Sequence, residues 1–333
     1  MTDVHFIVPE GIDDPARPSG GNAYDRRVCR GLAATGWTVQ VHEVTGATLS
    51  AALAGIPDRA LVLVDGLVAS PAPEVLVPES RRLRLVVLVH MPLGDEREGA
   101  VLAAATSVVT TSAWARRLLL QLHTLPGDRV QVAEPGVEAA ELARGTPAAG
   151  ALLSVAAVIP GKGHDVLVDA LAQLTDLRWH CLCVGSLERD PAFVARLRRR
   201  VAAGVMDDRV RFPGPQAGAE LADSYGAADV LVLPSRAESY GMVVAEALAR
   251  GLPVVATDVG GVPEALGHGA DGTRPGLLVP PDDPAALRHA LRAWLEDADL
   301  RGRLRRAARE RRESLADWPT TTAAVADALG RAA

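Results

Sequence analysis

The sequence predicts an α/β protein built from two doubly wound Rossmann-like domains. Three observations carry that expectation. Short aliphatic and β-branched runs alternate with longer Ala/Leu/Arg stretches of helical period along the whole chain. The runs are apolar throughout instead of alternating with polar residues, which suits parallel strands covered on both faces. The pattern breaks once, at ELARGTPAAGALLSVA, where Gly145, Pro147 and Gly150 interrupt an alanine-rich segment, and then restarts. At 333 residues, 48% of them hydrophobic, the chain has material for two ordinary cores.

In the first half, strands are expected at VHFIV (Val4 to Val8), TVQVHEV (Thr38 to Val44), ALVLV (Ala60 to Val64), LRLVVLVH (Leu83 to His90) and SVVTT (Ser107 to Thr111). Helices follow Asn22, a potential N-cap, surround Leu49 and follow Ala113. The second half offers strand ALLSVAAV, helix HDVLVDALAQL, strand RWHCLCVG, an arginine-rich helix, strand RVRF, helix ELADSYGAA, strand DVLVLP, then strand GLLVP and closing helices. The expected domains are 1–148 and 149–315, with a C-terminal helix at 316–333 that can pack back on the first domain.

Composition narrows the function. A net charge of −6 and a pI near 5.8 offer no broad attraction to nucleic acid or anionic lipid, so no nucleic-acid partner and at most peripheral membrane contact are expected. The three cysteines, Cys29, Cys181 and Cys183, make no CxxC pair, and Cys181 and Cys183 share one face of a strand as small buried hydrophobes. With no signal-peptide pattern at MTDVHFIVPEG and no run of membrane-spanning length, the expected location is cytoplasmic.

The stretch SRAESYGMVVAEALARGLPVVATDVGG holds the most chemistry. In open α/β folds the ligand lies beyond the carboxyl ends of the strands, where loops enter helices. Strand DVLVLP ends at Pro234, the loop carries Glu238, and Gly241 lets backbone approach a ligand as the next helix begins. The first helix amides are unpaired and favour a phosphate. Glu246 lies about 8 Å further along the axis at about 1.5 Å per residue, so two carboxylates bracket a diphosphate, as the hydroxyls at both ends of a nucleotide sugar would require. By spacing alone, both read more readily as ordinary solvated glutamates, Glu246 as merely helix-favouring.

The string PSRAESYGMVVAEALARGLPVVATDVGGVPEAL resembles the signature of retaining GT-B glycosyltransferases of family 4 (glycosyl transferases group 1), whose hallmark is E-x7-E followed by a glycine-rich run. GGNAYDRRVCRGLAATGWTVQVH, VAEPGVE, PGKGHDVLVDAL, YGAADVLVLPS and GLLVPPDDPAALRHAL extend the resemblance over most of the chain in the family's order. It implies a GT-B architecture, with the two domains facing across a cleft, and a retaining, metal-independent transfer of a hexose-type sugar from a UDP- or GDP-sugar to a hydroxyl acceptor. It also implies roles. Glu238 meets the donor-sugar hydroxyls and Glu246 the ribose, while Lys162 pairs with the diphosphate. Backbone at Ser239, Tyr240, Gly241 and Met242 lines the donor, Gly20 and Gly21 form a loop over its phosphates, His90 lies near the sugar's C6 side, and a turn at Pro213 and Gly214 holds the base.

No cofactor and no metal site are expected. No DxD motif stands where a metal-using transferase needs one, and Asp282 with Asp283 reads as a helix-capping pair. Asp65, Asp95, Glu96 and Arg97 are polar candidates on the acceptor side, and the acceptor is open among small molecules, glycans and lipid-linked compounds. The chain departs from the family at Ala157, where relatives carry an arginine five residues before the lysine. Lys162 is then the motif's lone cation unless Arg26, Arg27 or Arg236 reaches in. That departure keeps a second reading alive, a non-catalytic nucleotide-sugar-binding GT-B protein. A dinucleotide-dependent dehydrogenase is disfavoured, because G-x-G-x-x-G follows the first strand of neither half.

Overall fold

A computed structural model describes residues 3–14 and 19–333, which divide into two compact units. The first comprises residues 3–14, 19–136 and 316–333, and the second 137–315. The segment expected as a linker lies inside the second unit. Ala143 N donates to Arg250 O (2.9 Å) and Arg144 N to Gly226 O (2.9 Å). Thr146 is held through N (2.8 Å) and Oγ1 (2.6 Å) by the buried Asp229 carboxylate.

The first unit runs β1 (Asp3–Pro9), α1 (Gly20–Ala34), β2 (Thr38–Val44), α2 (Leu49–Ala54), β3 (Leu61–Asp65), α3 (Gly66–Ala69), α4 (Pro73–Glu79), β4 (Arg84–Val89), α5 (Glu96–Ala104), β5 (Ser107–Thr110), α6 (Ala113–Leu122) and β6 (Val130–Val132). The second contains β7 (Ala151–Val155), α7 (His164–Leu171), β8 (His180–Val184), α8 (Pro191–Ala203), β9 (Val210–Gly214), α9 (Gly218–Ala227), β10 (Val230–Leu233), α10 (Met242–Leu248), β11 (Val254–Thr257), α11 (Val262–Leu266), β12 (Gly276–Val279), α12 (Pro284–Glu296) and α13 (Ala298–Arg312). The last helix, α14 (Trp318–Ala332), belongs to the first unit and packs on α1. There Thr321 Oγ1 donates to Glu134 O (2.7 Å), and the Trp318 ring meets Tyr24 edge-on.

Every paired strand is parallel. The first sheet is ordered β2-β1-β3-β4-β5-β6 and the second β12-β11-β10-β7-β8-β9. Apolar-throughout strands form because both faces are covered. In β3, Leu61 and Leu63 pack with α1 and α14, while Val62 and Val64 pack with α2 and α4. In β10, Val230 and Val232 face one core layer, and Leu231 and Leu233 the other. Cys181 and Cys183 share one face, their Sγ atoms 3.8 Å apart.

Several local expectations are corrected. Asn22 caps nothing: Ser19 stands at the N-cap and α1 starts at Gly20, so Gly20 and Gly21 form the first helical turn and not a loop. Pro213 and Gly214 close edge strand β9 and make no turn, a place proline tolerates because the register with β8 shifts there. The stretch His90 to Gly99, expected as loop, is helical from Glu96 onward as the start of α5, where Asp95 caps the helix by accepting from Glu98 N (2.8 Å). Among the described residues no helix is long and apolar enough to cross a membrane.

Candidate functional site

The second sheet reverses direction between β7 and β10, and in such sheets ligands bind at the carboxyl ends of the strands flanking that switch. Lys162 follows β7 and Glu238 follows β10. Across the switch, Lys162 Nζ donates to Glu238 Oε1 at 2.7 Å, and Ser235 Oγ donates to the same oxygen at 2.7 Å. Ser235 is fully buried, and its carbonyl accepts from the Thr257 hydroxyl at the end of β11. Oε1 is thus fixed by two donors, while Oε2 takes no hydrogen bond among the described residues. The carboxylate is held by one oxygen and offers the other.

Glycines shape this loop. A Cβ on Gly163 would collide with the Pro234 carbonyl, and Cβ atoms on Gly260 and Gly261 would collide with the Glu238 and Ser239 carbonyls. Gly261 N donates to Glu238 O (3.0 Å) and Arg236 N to Gly161 O (2.9 Å), so the Ser235–Gly241 loop is gripped from both neighbouring turns. Gly241 itself adopts φ 94°, which only glycine takes without strain, and places the opening amides of α10 beside the loop.

Glu246 lies on α10, half-buried. Tyr225, fully buried on α9, donates its hydroxyl to Glu246 Oε2 at 2.8 Å, and the Arg250 guanidinium lies 4.5 Å over the Tyr225 ring. Burial pushes the Glu246 carboxyl above its ordinary range, against the Tyr225 hydroxyl and the Arg250 charge. His164, next to Lys162 in the chain, is fully buried with both ring nitrogens unpartnered; burial drives its pKa down to about 4, so the ring is neutral.

The cations proposed to replace an arginine at Ala157 are engaged. Arg236 makes a fork with Asp165 (3.0 and 3.0 Å), pairs with Asp282 (2.6 Å) and reaches the Pro160 carbonyl. Arg26 bonds the Ile12 carbonyl and lies 3.5 Å from Asp13. The Arg27 guanidinium lies 5.8 Å over Trp318. Asp283 caps α12 by accepting from Ala286 N (2.8 Å), as a helix-capping pair would.

In the first unit the switch lies between β1 and β3. There His90, just past β4, turns Nε2 to Asp25 Oδ1 (2.8 Å) on α1 and to Asp65 Oδ2 (3.4 Å) at the end of β3. Gly21 lies against the ring, where a Cβ would come 3.2 Å from Cδ2. Among the described residues these three are the one group of His, Cys, Asp or Glu side chains whose atoms gather within 4.8 Å. Of the acceptor-side candidates, Asp65 alone joins it. Asp95 is a helix cap, and Arg97 pairs with Glu74 (2.8 Å).

Sequence reasoning passed over Ser235, Tyr225 and Asp25. Ser235, three residues before Glu238, had a local signal in its spacing. Tyr225 and Asp25 had none, since each meets its partner only through the fold.

Residues 149–311 match the family model described as Glycosyl transferases group 1. The chain is 34% identical over 265 residues to a D-inositol 3-phosphate glycosyltransferase of Saccharomonospora viridis, covering 71% of this chain and 57% of that protein. It is 36% identical over 261 residues to a protein of the same description from Kineococcus radiotolerans, covering 71% and 59%. It therefore spans little more than half the length of these curated relatives. Among solved structures, a glycosyltransferase from Rickettsia africae superposes with a TM-score of 0.77 at 18% identity, covering 99% of this chain and 98% of that one. Anabaena HepE in complex with UDP-glucose gives 0.78 at 19%, covering 99% and 100%. At these identities the two structures speak for the fold.

Proposed function

The chain belongs to the group 1 glycosyltransferases, GT-B family 4, and from that premise we propose that it transfers a sugar from a nucleoside diphosphate sugar to a hydroxyl acceptor, with retention of configuration and without a metal. The observation that carries this reading is the Lys162–Glu238 pair at the switch point of the second sheet. Lys162 supplies the cation for the diphosphate. Glu238, fixed through Oε1, turns Oε2 to the sugar hydroxyls. Glu246, braced by Tyr225, takes the ribose. The opening amides of α10 add donors to the phosphate.

As the anomeric carbon–oxygen bond breaks, negative charge grows on the leaving phosphate. Lys162, turning from its bond to Glu238 Oε1, and the amides supply the donors that offset this charge. The acceptor hydroxyl attacks from the side the phosphate leaves, and the phosphate oxygen takes its proton. The HepE complex makes a UDP-sugar the first donor to try, and the curated relatives make D-inositol 3-phosphate the first acceptor.

Ala157 favours the second reading, a protein that binds a nucleotide sugar without turning it over, because Arg236 is committed to Asp165 and Asp282. A thermal-shift screen of UDP-, GDP- and ADP-sugars finds the donor, and isotope-labelled donor with acceptor then separates the readings. Expected are product of the donor's anomeric configuration and turnover that survives excess EDTA. An inverted product, or loss in EDTA restored by Mn²⁺, rejects the mechanism; saturable binding with no turnover for any acceptor selects the second reading.

A further inference from the structure

The carboxyl edge of the first sheet carries an apolar patch. Eight large hydrophobic side chains are exposed among the described residues, and four of them gather there: Leu67 (60%), Met91 (37%), Leu93 (53%) and Leu122 (47%). Single exposed hydrophobics are ordinary, but a group of them beside a switch point marks a binding surface. Leu67 opens α3 at the end of β3, and Met91 and Leu93 follow the end of neighbouring β4. The two loops meet at their base, where a Cβ on Gly66 would come 3.0 Å from Leu88 O. Leu122, at the end of α6, lies against the loop after β4, where a Cβ on Gly94 would come 3.1 Å from its Cδ1.

The polar groups of this edge are answered from within the chain. Gly94 takes φ 77°, and its amide converges with that of Leu93 on a single point, as in a loop that holds an anion. The anion is already there. Glu98, fully buried, accepts from Leu93 N (3.0 Å) and Gly94 N (2.8 Å), with His123 Nε2 at 3.1 Å. Leu67 N donates to Asp65, Glu98 N to Asp95, and His90 faces Asp25 and Asp65. Arg97 pairs with Glu74 (2.8 Å) and reaches the Pro71 carbonyl. Each of these donors meets a carboxylate of the chain itself, while Asp95 and Glu96 stay exposed. An arriving phosphate would find the amide pair occupied and negative charge behind it, which disfavours it.

We propose that the acceptor is a small hydroxyl compound with an apolar body and no phosphate or carboxylate, its body seated on Leu67, Met91, Leu93 and Leu122. The word acceptor rests on the transferase reading; the preference of the surface does not. Four partly exposed side chains fall short of the about 800 Å² that each side of a stable protein interface buries, and they suit a small amphiphile. D-inositol 3-phosphate, named for the curated relatives, would bring a phosphate against the carboxylates of this edge.

Carbon-13 methyl NMR of the methionines in the intact chain reads the surface without any donor. Octyl glucoside, kept below its micelle threshold, should shift Met91 and leave Met206, in the core of the second unit, unmoved. Its Kd should be at least about tenfold lower than that of methyl glucoside, because the octyl chain supplies the apolar area. Leu93→Ser, an exposed change, should raise the octyl glucoside Kd about fivefold. D-inositol 3-phosphate at about 1 mM should move neither Met91 nor the Gly20 and Gly21 amides that open α1. A still Met91 with octyl glucoside, equal Kd for the two glucosides, no effect of Leu93→Ser, or a shift by the inositol phosphate overturns the proposal.

Turnover then tests the acceptor assignment. With the donor that thermal shift identifies, uncharged acceptors bearing an apolar group should be used ahead of D-inositol 3-phosphate, and the reverse order overturns the assignment. Octyl glucoside bound at Met91 with no acceptor turned over rejects the transferase reading, while the NMR result upholds the surface.

Discussion

Lys162 is already paired with Glu238 at 2.7 Å, and in the proposed reaction its single ammonium is the motif's lone cation facing the phosphate. Lys162→Ala removes both the charge opposite the leaving phosphate and one of the two donors fixing Oε1 of Glu238. Transfer should fall by far more than about tenfold, equivalent to about 1.4 kcal/mol of barrier. A smaller loss in kcat would show that another group balances the phosphate. The two glutamates should separate in calorimetry. Glu246→Ala weakens bare nucleoside diphosphate by about 1 to 3 kcal/mol, whereas Glu238→Ala leaves it nearly intact and cuts turnover of the full donor. Equal losses in both assays would mean the roles are exchanged. The E-x7-E spacing and the lysine were legible in the sequence because they are local. Tyr225, which braces Glu246, was not, since a hydrogen bond across 21 residues leaves no periodic trace, and Ser235, three residues before Glu238, was passed over despite its local spacing.

At the scale of elements, the site is a loop held between turns. The glycine run after β11 was legible as a motif, but its purpose is steric: Gly260 and Gly261 let the Glu238–Ser239 backbone lie where any side chain would intrude. Asp229 is a second such fastening. Wholly buried at the start of β10, it accepts from Thr146 N and Oγ1, Ala151 N (2.9 Å) and Arg305 Nη2 (3.0 Å), tying residues 144–151 and α13 to the second sheet. Asp229→Ala orphans two amides and an arginine. It should cost about 3 kcal/mol in urea unfolding, with a first unit that unfolds as before. A cost under about 1 kcal/mol would mean water replaces the carboxylate. The glycines and proline near 145–150 read as a domain break because turn residues look alike in sequence, whether they join domains or anchor a strand.

For the whole molecule, two histidines set opposite arms of a stability profile. His164 is neutral when folded, its pKa lowered from the ordinary 6.5 to about 4. Below pH 6.5 the unfolded chain takes up a proton that the folded chain refuses, so stability falls as pH drops from 6.5 toward 4, by up to about 3 kcal/mol. His90 acts the other way. Its pKa is raised, so its contribution is complete below 6.5 and fades as pH climbs toward about 10. Thermal unfolding from pH 4.5 to 9.5 should peak near neutrality, and His164→Phe should flatten the acid side alone. An acid arm unchanged in that variant would place its origin in the carboxylates.

The sequence by itself determined the α/β alternation, the apolar-throughout strands and the placing of Lys162 and Glu238 beyond strand ends with Glu246 on the helix that follows, because these follow from composition over a few residues. Tertiary structure decided which strands become neighbours, and with that everything built across them. It set the switch point that brings Lys162 to Glu238, the meeting of Asp25, Asp65 and His90 from three separate segments, the commitment of Arg236 to Asp165 and Asp282, and the return of α14 to the first unit. The physical reason is one of range. Helical period and strand propensity are properties of adjacent residues, whereas an ion pair or a buried cluster is fixed by the burial of two sheets' faces, which no short stretch of chain encodes.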